Sequence, residues 1–331
     1  MKHILLCVFA AGAISAGAAE SPLWLRNAKI SPDGSRIAFT YKGDIFTVPT
    51  GGGEALRLTS QPSYETTPIW SPDSRSIAFS SDRYGNADIF VIAADGSSRE
   101  WKRLTYNSAS EIPEAFTPDG KEVLYSAAIQ APAASAMFPT GRMTQVYSVP
   151  VDGGASRQLL ATPARYISWA PDGKSFVYED VKGFEDQWRK HHTSSVTRDI
   201  WRYTPATGRH EKLVDLPGED LCPVDAGDAL YFLSERAPQK SLNVYRAVAG
   251  DYGKAVPETD FKRHPVRFLS RAANGTLAFT YDGELYTLAS GASKPAKVAV
   301  DIKADFPDEL RKIGGSRGSV GAAASPNGKL V

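Results

Sequence analysis

The chain has 331 residues, of which 42% are hydrophobic and 23% charged, ordinary values for a soluble globular protein. Its 38 Lys and Arg residues balance 37 Asp and Glu residues, and a net charge of +1 provides no long-range attraction for nucleic acid or an anionic membrane. The composition excludes a disordered, collagen-like, disulfide-dense or polytopic membrane protein.

The first nineteen residues have the pattern of a secretory signal peptide. Lys2 and His3 precede the apolar run 4–11, and small residues follow as far as Ala19. The apolar run is shorter than the roughly 20 residues that a membrane span needs. We therefore expect residues 1–19 to be removed and the protein to be exported to a bacterial periplasm, to the cell surface or to the medium, without a remaining membrane span. A retained N-terminal anchor is the alternative.

A four-residue turn motif of the type Ser-Pro-Asp-Gly recurs along the rest of the chain. Pro presets φ and Asp-Gly tolerates positive φ, so the motif is typical of tight turns between strands. Successive copies start 40 to 54 residues apart, at Ser31, Ser71, Thr117, Ala170, Val224, Ala272 and Ser325, the fifth and sixth being degenerate. The spacing predicts six full repeats and the beginning of a seventh.

Each full repeat continues with two short runs of β-branched and aromatic residues, which favour strands. The first runs are Ile37–Phe39, Ile77–Phe79, Val123–Tyr125, Phe176–Tyr178, Leu230–Phe232 and Leu277–Phe279. The second runs are Asp44–Val48, Asp88–Ile92, Val146–Val149, Ile200–Tyr203, Val244–Ala247 and Leu285–Leu288. Several repeats add a turn and a short edge strand, and no sustained helical period is present. The pattern predicts an all-β fold, a six-bladed β-propeller of four-stranded antiparallel blades over residues 20–312.

The two ends of the propeller are less strongly specified by the pattern. Pairing of Leu23–Leu25 with the last blade is one way to close the ring, and the tail 305–321 equally suits a connection to a following domain. The seventh turn motif, at Ser325, has no blade after it. We therefore expect residues 313–331 to be a linker and the opening strand of a second, truncated propeller in a longer polypeptide.

Two unusually long loops are expected side by side on one face of the ring. They separate the central strands of the third and fourth repeats, over 126–145 and 179–199, whereas the same gap in the first two repeats is only a few residues. Long ordered loops tend to be functional, and Trp and Arg are enriched at interface hot spots. Contact with peptide, docking of another part of the protein and self-packing all remain open for this rim. Its residues are Met137, Phe138, Arg142, Trp188, Arg189, Lys190, His191, His192 and Arg198.

No motif in the chain predicts a catalytic, cofactor or metal site. Gly314–Gly318 fits G-x-S-x-G, but an irregular linker surrounds it and only 13 residues follow. His191 and His192 are adjacent, so on a strand they would point to opposite faces and would not ligate one metal ion. We therefore expect no catalytic residue, no cofactor and no metal in residues 1–331.

Several segments resemble known propeller families. Ser31–Phe46 and Ser81–Phe90 resemble the repeats of TolB-like propellers. Trp188–Trp201 and Lys262–Leu269 are similar to bacterial tricorn-type serine peptidases, and this resemblance covers essentially the whole mature chain. It implies a six-bladed propeller followed by a seven-bladed propeller, a PDZ-like domain and a peptidase core that holds every catalytic residue.

The resemblance implies that this chain is the N-terminal propeller of a secreted tricorn-like serine peptidase. Its role would be scaffolding or peptide gating during peptide degradation, with the later domains, peptides and further copies in a homo-oligomer as partners. Two alternatives are a free-standing TolB-like periplasmic propeller that scaffolds other proteins and the propeller of a prolyl oligopeptidase-like enzyme. The expected second propeller favours the first interpretation.

Overall fold

The structure is a computed structural model that describes residues 22–129, 143–183, 193–236 and 240–303. Within these ranges the chain forms six four-stranded antiparallel sheets, and in each sheet neighbouring strands follow one another along the chain. The predicted all-β fold and its six four-stranded blades are confirmed. The predicted signal peptide 1–19 and the predicted linker 313–331 lie outside the described residues.

Each blade begins with its innermost strand and ends at its outer edge. Blades 1 to 3 consist of β1 Arg26–Ile30, β2 Arg36–Tyr41, β3 Asp44–Pro49, β4 Gly53–Glu54 and β5 Leu56–Arg57; β6 Glu65–Trp70, β7 Ser76–Ser81, β8 Asp88–Ala93 and β9 Trp101–Arg103; and β10 Glu111–Phe116, β11 Glu122–Ala127, β12 Gln145–Pro150 and β13 Arg157–Leu160. In blade 1, β4 lies outside the four-stranded sheet β1-β2-β3-β5.

The second half of the ring repeats this arrangement. Blades 4 to 6 consist of β14 Ala164–Trp169, β15 Phe176–Asp180, β16 Ile200–Thr204 and β17 Arg209–Val214; β18 Asp220–Asp225, β19 Ala229–Ser234, β20 Asn243–Val248 and β21 Val256–Pro257; and β22 Arg267–Arg271, β23 Leu277–Tyr281, β24 Glu284–Leu288 and β25 Ala296–Lys297. A 3-10 helix over Tyr252–Lys254 precedes β21, and β26 Val300–Asp301 follows the last blade.

A polar unit attaches the outer strand of blade 1 to the start of its third strand. Arg57 Nη2 lies 2.7 Å from the buried Asp44 Oδ2, and the Ile45 N–H donates to Thr59 Oγ1 over 2.9 Å. Blade 2 has the same unit, formed by Arg103, Asp88, Ile89 and Thr105. The recurring Arg-Leu-Thr sequence thus begins at the last residue of an edge strand, and its Arg and Thr satisfy buried groups of the neighbouring strand.

One hydrogen bond recurs at the joints between blades. Its donor is the N–H at or just before the start of an innermost strand, and its acceptor is a carbonyl in the loop between the second and third strands of the preceding blade. The joints are Glu65 to Gly43, Glu111 to Ala87, Asp220 to Arg198 and Val266 to Leu242. Leu25 donates to Gly283 over 2.9 Å in the same way, so the last and first blades meet through the joint used elsewhere in the ring. We call the face that carries these joints the loop face.

Two further contacts close the ring. On the opposite face, where the Pro-Asp-Gly turns lie, the Ala273 N–H donates to the Pro32 carbonyl over 2.9 Å. At the outer edge, β26 pairs in parallel with β4 of blade 1, and Val298 and Val300 are buried in the apolar cluster shared by blades 1 and 6. Leu25 therefore takes part in closure through its hydrogen bond to Gly283, but residues 23–25 form no strand in the last blade as the sequence had suggested; the tail 305–321 lies outside the described residues.

Candidate functional site: the central channel and the loop face

The innermost strand of every blade contains a β-bulge. Pairing with the second strand shifts register in each of β1, β6, β10, β14, β18 and β22. Five blades place a non-glycine residue with φ between 50° and 58° at the aligned bulge position, namely Asn27, Thr67, Tyr166, Cys222 and Phe268. Blade 3 has Pro113 there, whose ring excludes positive φ, and its register shifts between Pro113 and Ala115. Bulges redirect side chains, and Tyr166, Cys222 and Phe268 line one small cavity of about 20 Å³.

Carboxylates of neighbouring blades satisfy the backbone at two of these bulges. Glu114 Oε2 accepts the Tyr166 N–H over 2.7 Å, and Glu179 Oε2 accepts the Cys222 N–H over 2.9 Å. Glu114 also accepts a hydrogen bond from Arg165 Nε. A buried N–H without a partner is costly, so these acids stabilise both the bulges and the joints between blades.

Lys29 and Tyr166 meet across the axis of the ring. They belong to blades 1 and 4, which are opposite in a ring of six, and the Lys29 Nζ lies 5.3 Å from the centroid of the Tyr166 ring. Burial of the ammonium lowers the pKa of Lys29, although the carboxylates of Glu114 and Glu179 oppose this change. The two side chains therefore narrow the channel through a cation–π contact.

Arg198 is the member of the predicted contact rim that falls within the described residues. Its side chain is 15% exposed, with Nε 3.6 Å from Glu179 Oε1 and Nη1 3.9 Å from Glu219 Oε2. Its N–H donates to Glu219 Oε2 over 3.2 Å. Arg198 is thus held by carboxylates next to the channel.

The other members of the predicted rim lie outside the described residues, and the rim as a contact surface stays a prediction. They are Met137, Phe138, Arg142, Trp188, Arg189, Lys190, His191 and His192. The two long gaps begin two residues later than predicted, because β11 continues to Ala127 and β15 to Asp180; the next strands begin at Gln145 and Ile200.

The titratable groups around the channel are shifted mainly by burial. Burial raises the pKa of Glu219 to about 7, against the opposing charge of Arg198, and it also raises the pKa of Glu179. Burial raises the pKa of the Cys222 thiol to about 12, so this thiol is neutral and is a poor nucleophile.

The described histidines are separated in the fold. His210 Nδ1 lies 2.8 Å from the Tyr178 hydroxyl at the edge of blade 4, and His264 Nε2 lies 3.4 Å from Asp282 in blade 6. Across the four described ranges, no group of three or more His, Cys, Asp and Glu side chains is placed to hold a metal ion. Helices long and apolar enough to cross a bilayer are also absent from these ranges. The Gly314–Gly318 motif falls beyond them.

A cleft of about 450 Å³ opens on the loop face where blades 6 and 1 meet. Trp24 stands at its border with 68% of its surface exposed and φ 69°, and the Arg26 guanidinium lies 5.5 Å from its ring centroid. Arg267, Phe268 and His264 line the other side.

Nothing in the strand pattern marked Lys29, Glu114 or Tyr166 as channel residues. A usable signal exists, because the bulge position lies four residues before the turn in every repeat when the turns of the structure are superposed. A sequence comparison of the repeats at that position would have found Tyr166, whereas Lys29 and Glu114 stand two residues and one residue after the aligned position. The contact across the axis would still require the three-dimensional ring.

Comparison with known proteins identifies the family of this propeller. Residues 22–294 match the family described as "Tricorn protease N-terminal beta propeller domain". Tricorn protease homolog 1 of Streptomyces coelicolor is 27% identical over 260 residues, which are 78% of this chain and 23% of that protein. The chain thus spans about a quarter of the length of this relative.

Solved structures agree on the fold. The crystal structure of the tricorn protease superposes with a TM-score of 0.71 at 24% identity, covering 86% of this chain and 27% of that one. A putative TolB from Agrobacterium tumefaciens superposes with a TM-score of 0.56 at 18% identity, covering 72% of this chain and 81% of that one. From the match over residues 22–294, the chain belongs to the family of tricorn protease N-terminal β-propeller domains.

Proposed function

We propose that this chain is the N-terminal propeller of a secreted tricorn-like serine peptidase, in which it acts as a scaffold and peptide gate. The family match over residues 22–294 carries the proposal. The relative from Streptomyces coelicolor is more than three times as long and is named a tricorn protease homolog. Hydrolysis would take place in later domains of the same polypeptide, and those domains and peptides would be the partners of this propeller.

The channel supports the gating part of the proposal. Lys29 and Tyr166 approach each other across the axis, while Glu114 and Glu179 supply acceptors beside them. A peptide entering the channel from the loop face would have to displace or contact this pair. Charged side chains suit the amides and termini of peptides better than an apolar ligand.

The size of the natural gene product tests the scaffold part. An antibody against this propeller should detect a product several times larger than 35.7 kDa in the source cells. Purified full-length protein should cleave peptides, whereas residues 20–331 alone should not. A natural product close to the mass of this chain would overturn the proposal and favour a TolB-like scaffold, whose fold this propeller shares.

Substitutions in the channel test the gating part. In the full-length protein, Lys29→Ala together with Tyr166→Ala should change the turnover of long peptides much more than the turnover of a short chromogenic substrate. Lys174→Ala is the control, since Lys174 is exposed in a turn on the opposite face. Equal effects of the channel variant on both substrates would contradict gating by this pair.

Export is tested by the mature N-terminus and by cell fractionation. We expect the protein in the periplasmic or extracellular fraction with a sequence that begins after Ala18 or Ala19. Cross-linking of the same fraction would show whether several copies assemble. A cytoplasmic product that retains Met1 would contradict the proposed export.

A further inference from the structure

Buried acids at the loop-face start of the blades are paired in a recurring way. In blade 2, Glu65 pairs in register with Ser81, and Glu65 Oε1 lies 2.8 Å from the Ser81 hydroxyl and 3.1 Å from Arg83 Nη2. In blade 5, Asp220 pairs in register with Ser234, and Arg236 Nη2 lies 3.1 Å from Asp220 Oδ1. A serine opposite the acid and a cation two residues later thus form the rule.

Blade 4 keeps the acid and the cation but not the serine: its acid stands on the second strand, and its cation Lys182 is shared with Asp199. Asp180 pairs in register with Ala164, and Lys182 Nζ lies 3.6 Å from Asp180 Oδ2. The cation again stands two residues after the paired position. The acid at this level of blades 2, 4 and 5 therefore has a positive partner from its own blade.

Blade 3 keeps the acid but lacks both partners. Glu111 pairs in register with Ala127, and Ile129 occupies the position of the cation. Glu111 is 0% exposed, and neither of its carboxylate oxygens has a hydrogen-bond partner in the described part of the chain. An ionised carboxylate in such a place would be strongly destabilising.

The groups around Glu111 come from blade 2 and from its own blade. Asp88 and Arg103 of blade 2 face it, and Arg103 Nη2 is already paired with Asp88 Oδ2 over 2.8 Å. The Thr105 hydroxyl is also near, as is the neutral Tyr125 of β11. Burial raises the pKa of Glu111 to about 8, and the charge of Asp88 adds to this effect.

The remaining charged groups on neighbouring strands have partners of their own. Glu114, on the same strand, accepts from Arg165 and from the Tyr166 N–H. Glu65, on the adjacent innermost strand, is held by Arg83. Arg103 is thus the described cation that acts on Glu111; its charge and the Thr105 hydroxyl favour ionisation, but Arg103 is shared with Asp88 and burial outweighs both.

We propose that Glu111 is a proton-controlled latch at the joint between blades 2 and 3. Its proton is retained at neutral pH and keeps the joint closed, and its loss in mildly alkaline solution loosens the joint and the start of the blade 3 loop. The bonds at stake are the Glu111 N–H to the Ala87 carbonyl, 2.8 Å, and the Ser80 hydroxyl to the Glu111 carbonyl, 2.7 Å. The loop begins at Ala128, directly after the partner strand of Glu111.

The sign of the pH effect follows from where the proton binds. The unfolded chain releases the Glu111 proton near its ordinary pKa of 4.5, whereas the folded chain keeps it up to about 8. Between these values the folded state holds more protons, so its stability falls as the pH rises. Above about 8 the contribution of Glu111 becomes constant.

Thermal unfolding of the full chain and of Glu111→Gln between pH 5 and pH 9 tests the latch. Gln has nearly the same shape and does not ionise. We expect the Tm of the unmodified chain to fall by about 5 °C more than that of Glu111→Gln over this range, as a loss of a few kcal/mol in a domain of this size implies. Parallel Tm curves would overturn the proposal.

Two further variants keep the test interpretable if Glu111→Gln folds poorly. Ala127→Ser with Ile129→Arg rebuilds the partners that Glu65 has, and it should reduce the alkaline fall in Tm. Glu65→Gln is the matched control, because Glu65 already has Arg83 as a positive partner. This substitution should leave the fall in Tm at alkaline pH unchanged. An unchanged fall in the rebuilt variant would count against the latch.

Hydrogen exchange locates the opening. After correction for the intrinsic pH dependence, peptides within residues 105–129 should exchange faster above pH 8, and the corresponding peptides within 59–83 should not. Glu111→Gln should abolish the difference. Equal acceleration in both regions would show global loosening and would overturn a latch at this joint.

Discussion

Cys222 combines deep burial with a carboxylate neighbour, and both keep its thiol neutral. Its side chain is 5% exposed, and burial, followed by the charge of Glu179, raises its pKa to about 12. We expect no alkylation of Cys222 by iodoacetamide at pH 8 in the folded chain and rapid alkylation in denaturant. Mass analysis of the tryptic peptide measures this, and full labelling without unfolding would contradict the described burial.

The threonines of the edge strands provide a second prediction. Thr59 and Thr105 accept the buried N–H groups of Ile45 and Ile89 over 2.9 and 2.8 Å. Replacing either threonine by valine leaves a buried N–H without its acceptor and should lower the free energy of unfolding by about 1–3 kcal/mol. Urea unfolding is the measurement.

A threonine outside this unit provides the control for that substitution. Thr162 is exposed in the connection between blades 3 and 4, so Thr162→Val should change the free energy of unfolding by less than about 0.5 kcal/mol. Equal losses for Thr162→Val and Thr105→Val would show that the hydroxyl of Thr105 does not satisfy a buried group.

Some of these side-chain roles are visible in the sequence and others are not. Asp44, Arg57 and Thr59 recur in the same order in blade 2, so an alignment of repeats predicts a shared unit. Lys29 and Tyr166 are far apart in the chain and come together only because blades 1 and 4 are opposite in the ring. No local pattern encodes that contact.

The strands were predictable because each repeat alternates a strong turn with β-branched and aromatic runs. The bulges were not, since a register shift depends on how an innermost strand fits its partner and the channel. The degenerate turn of blade 5 lies at 226–228, two residues later than its sequence match at Val224, because β18 continues to Asp225. The two-residue strand β26 is too short to produce a pattern.

Gly283 tests the joint between the last and first blades. It has φ 79°, and a Cβ at this position would lie 2.9 Å from the Trp24 backbone nitrogen. Gly283→Ala should therefore destabilise the fold by backbone strain of about 1–2 kcal/mol and by a further 1–3 kcal/mol, roughly, from the clash at the joint. The midpoint of urea unfolding reports the sum.

Gly208 is the matched control for this substitution. Its φ of 65° is similar, but no atom lies within 4 Å of a Cβ built there. Gly208→Ala should show only the backbone strain, so the difference between the two variants isolates the steric effect at the joint. If both variants lose the same stability, the contact between Gly283 and Trp24 does not contribute to closure.

The pH dependence of stability belongs to the molecule as a whole. Burial raises the pKa of Glu111 to about 8, of Glu219 to about 7 and of Asp220 to about 6. Acids whose pKa is raised by folding hold protons that the unfolded chain has released, so stability should fall between about pH 5 and pH 8, by at most about 1.4 kcal/mol per pH unit for each group.

The acids of the turns act at the other end of the pH range. Hydrogen bonds from Ser31, Ser71 and Thr117 lower the pKa values of Asp33, Asp73 and Asp119, so their contribution is lost as the pH falls through their folded values. Maximum stability is therefore expected near pH 5. Chemical unfolding at several pH values measures this, and a maximum above pH 8 would contradict the buried protonated acids.

The number of blades could be predicted from the repeats, but the way the ring closes could not. Repeats specify a blade, and the hydrophobic faces of blades require neighbours on both sides. Closure depends on residues outside the repeat, namely Leu25 before the first blade and β26 after the last. Only their positions in space show that the start of the propeller is attached to blade 6 and its end to blade 1.

The shared joint has a consequence for the order of the chain. Leu25 meets Gly283 through the hydrogen bond that also connects most covalently consecutive blades, so the joint between the last and first blades is of the same kind, reinforced by the pairing of β26 with β4. The turn at Gly208 is exposed and open. A circular permutant that begins and ends there, with a flexible linker joining the residues near Leu23 and Lys303, should fold into the same six blades in a different chain order.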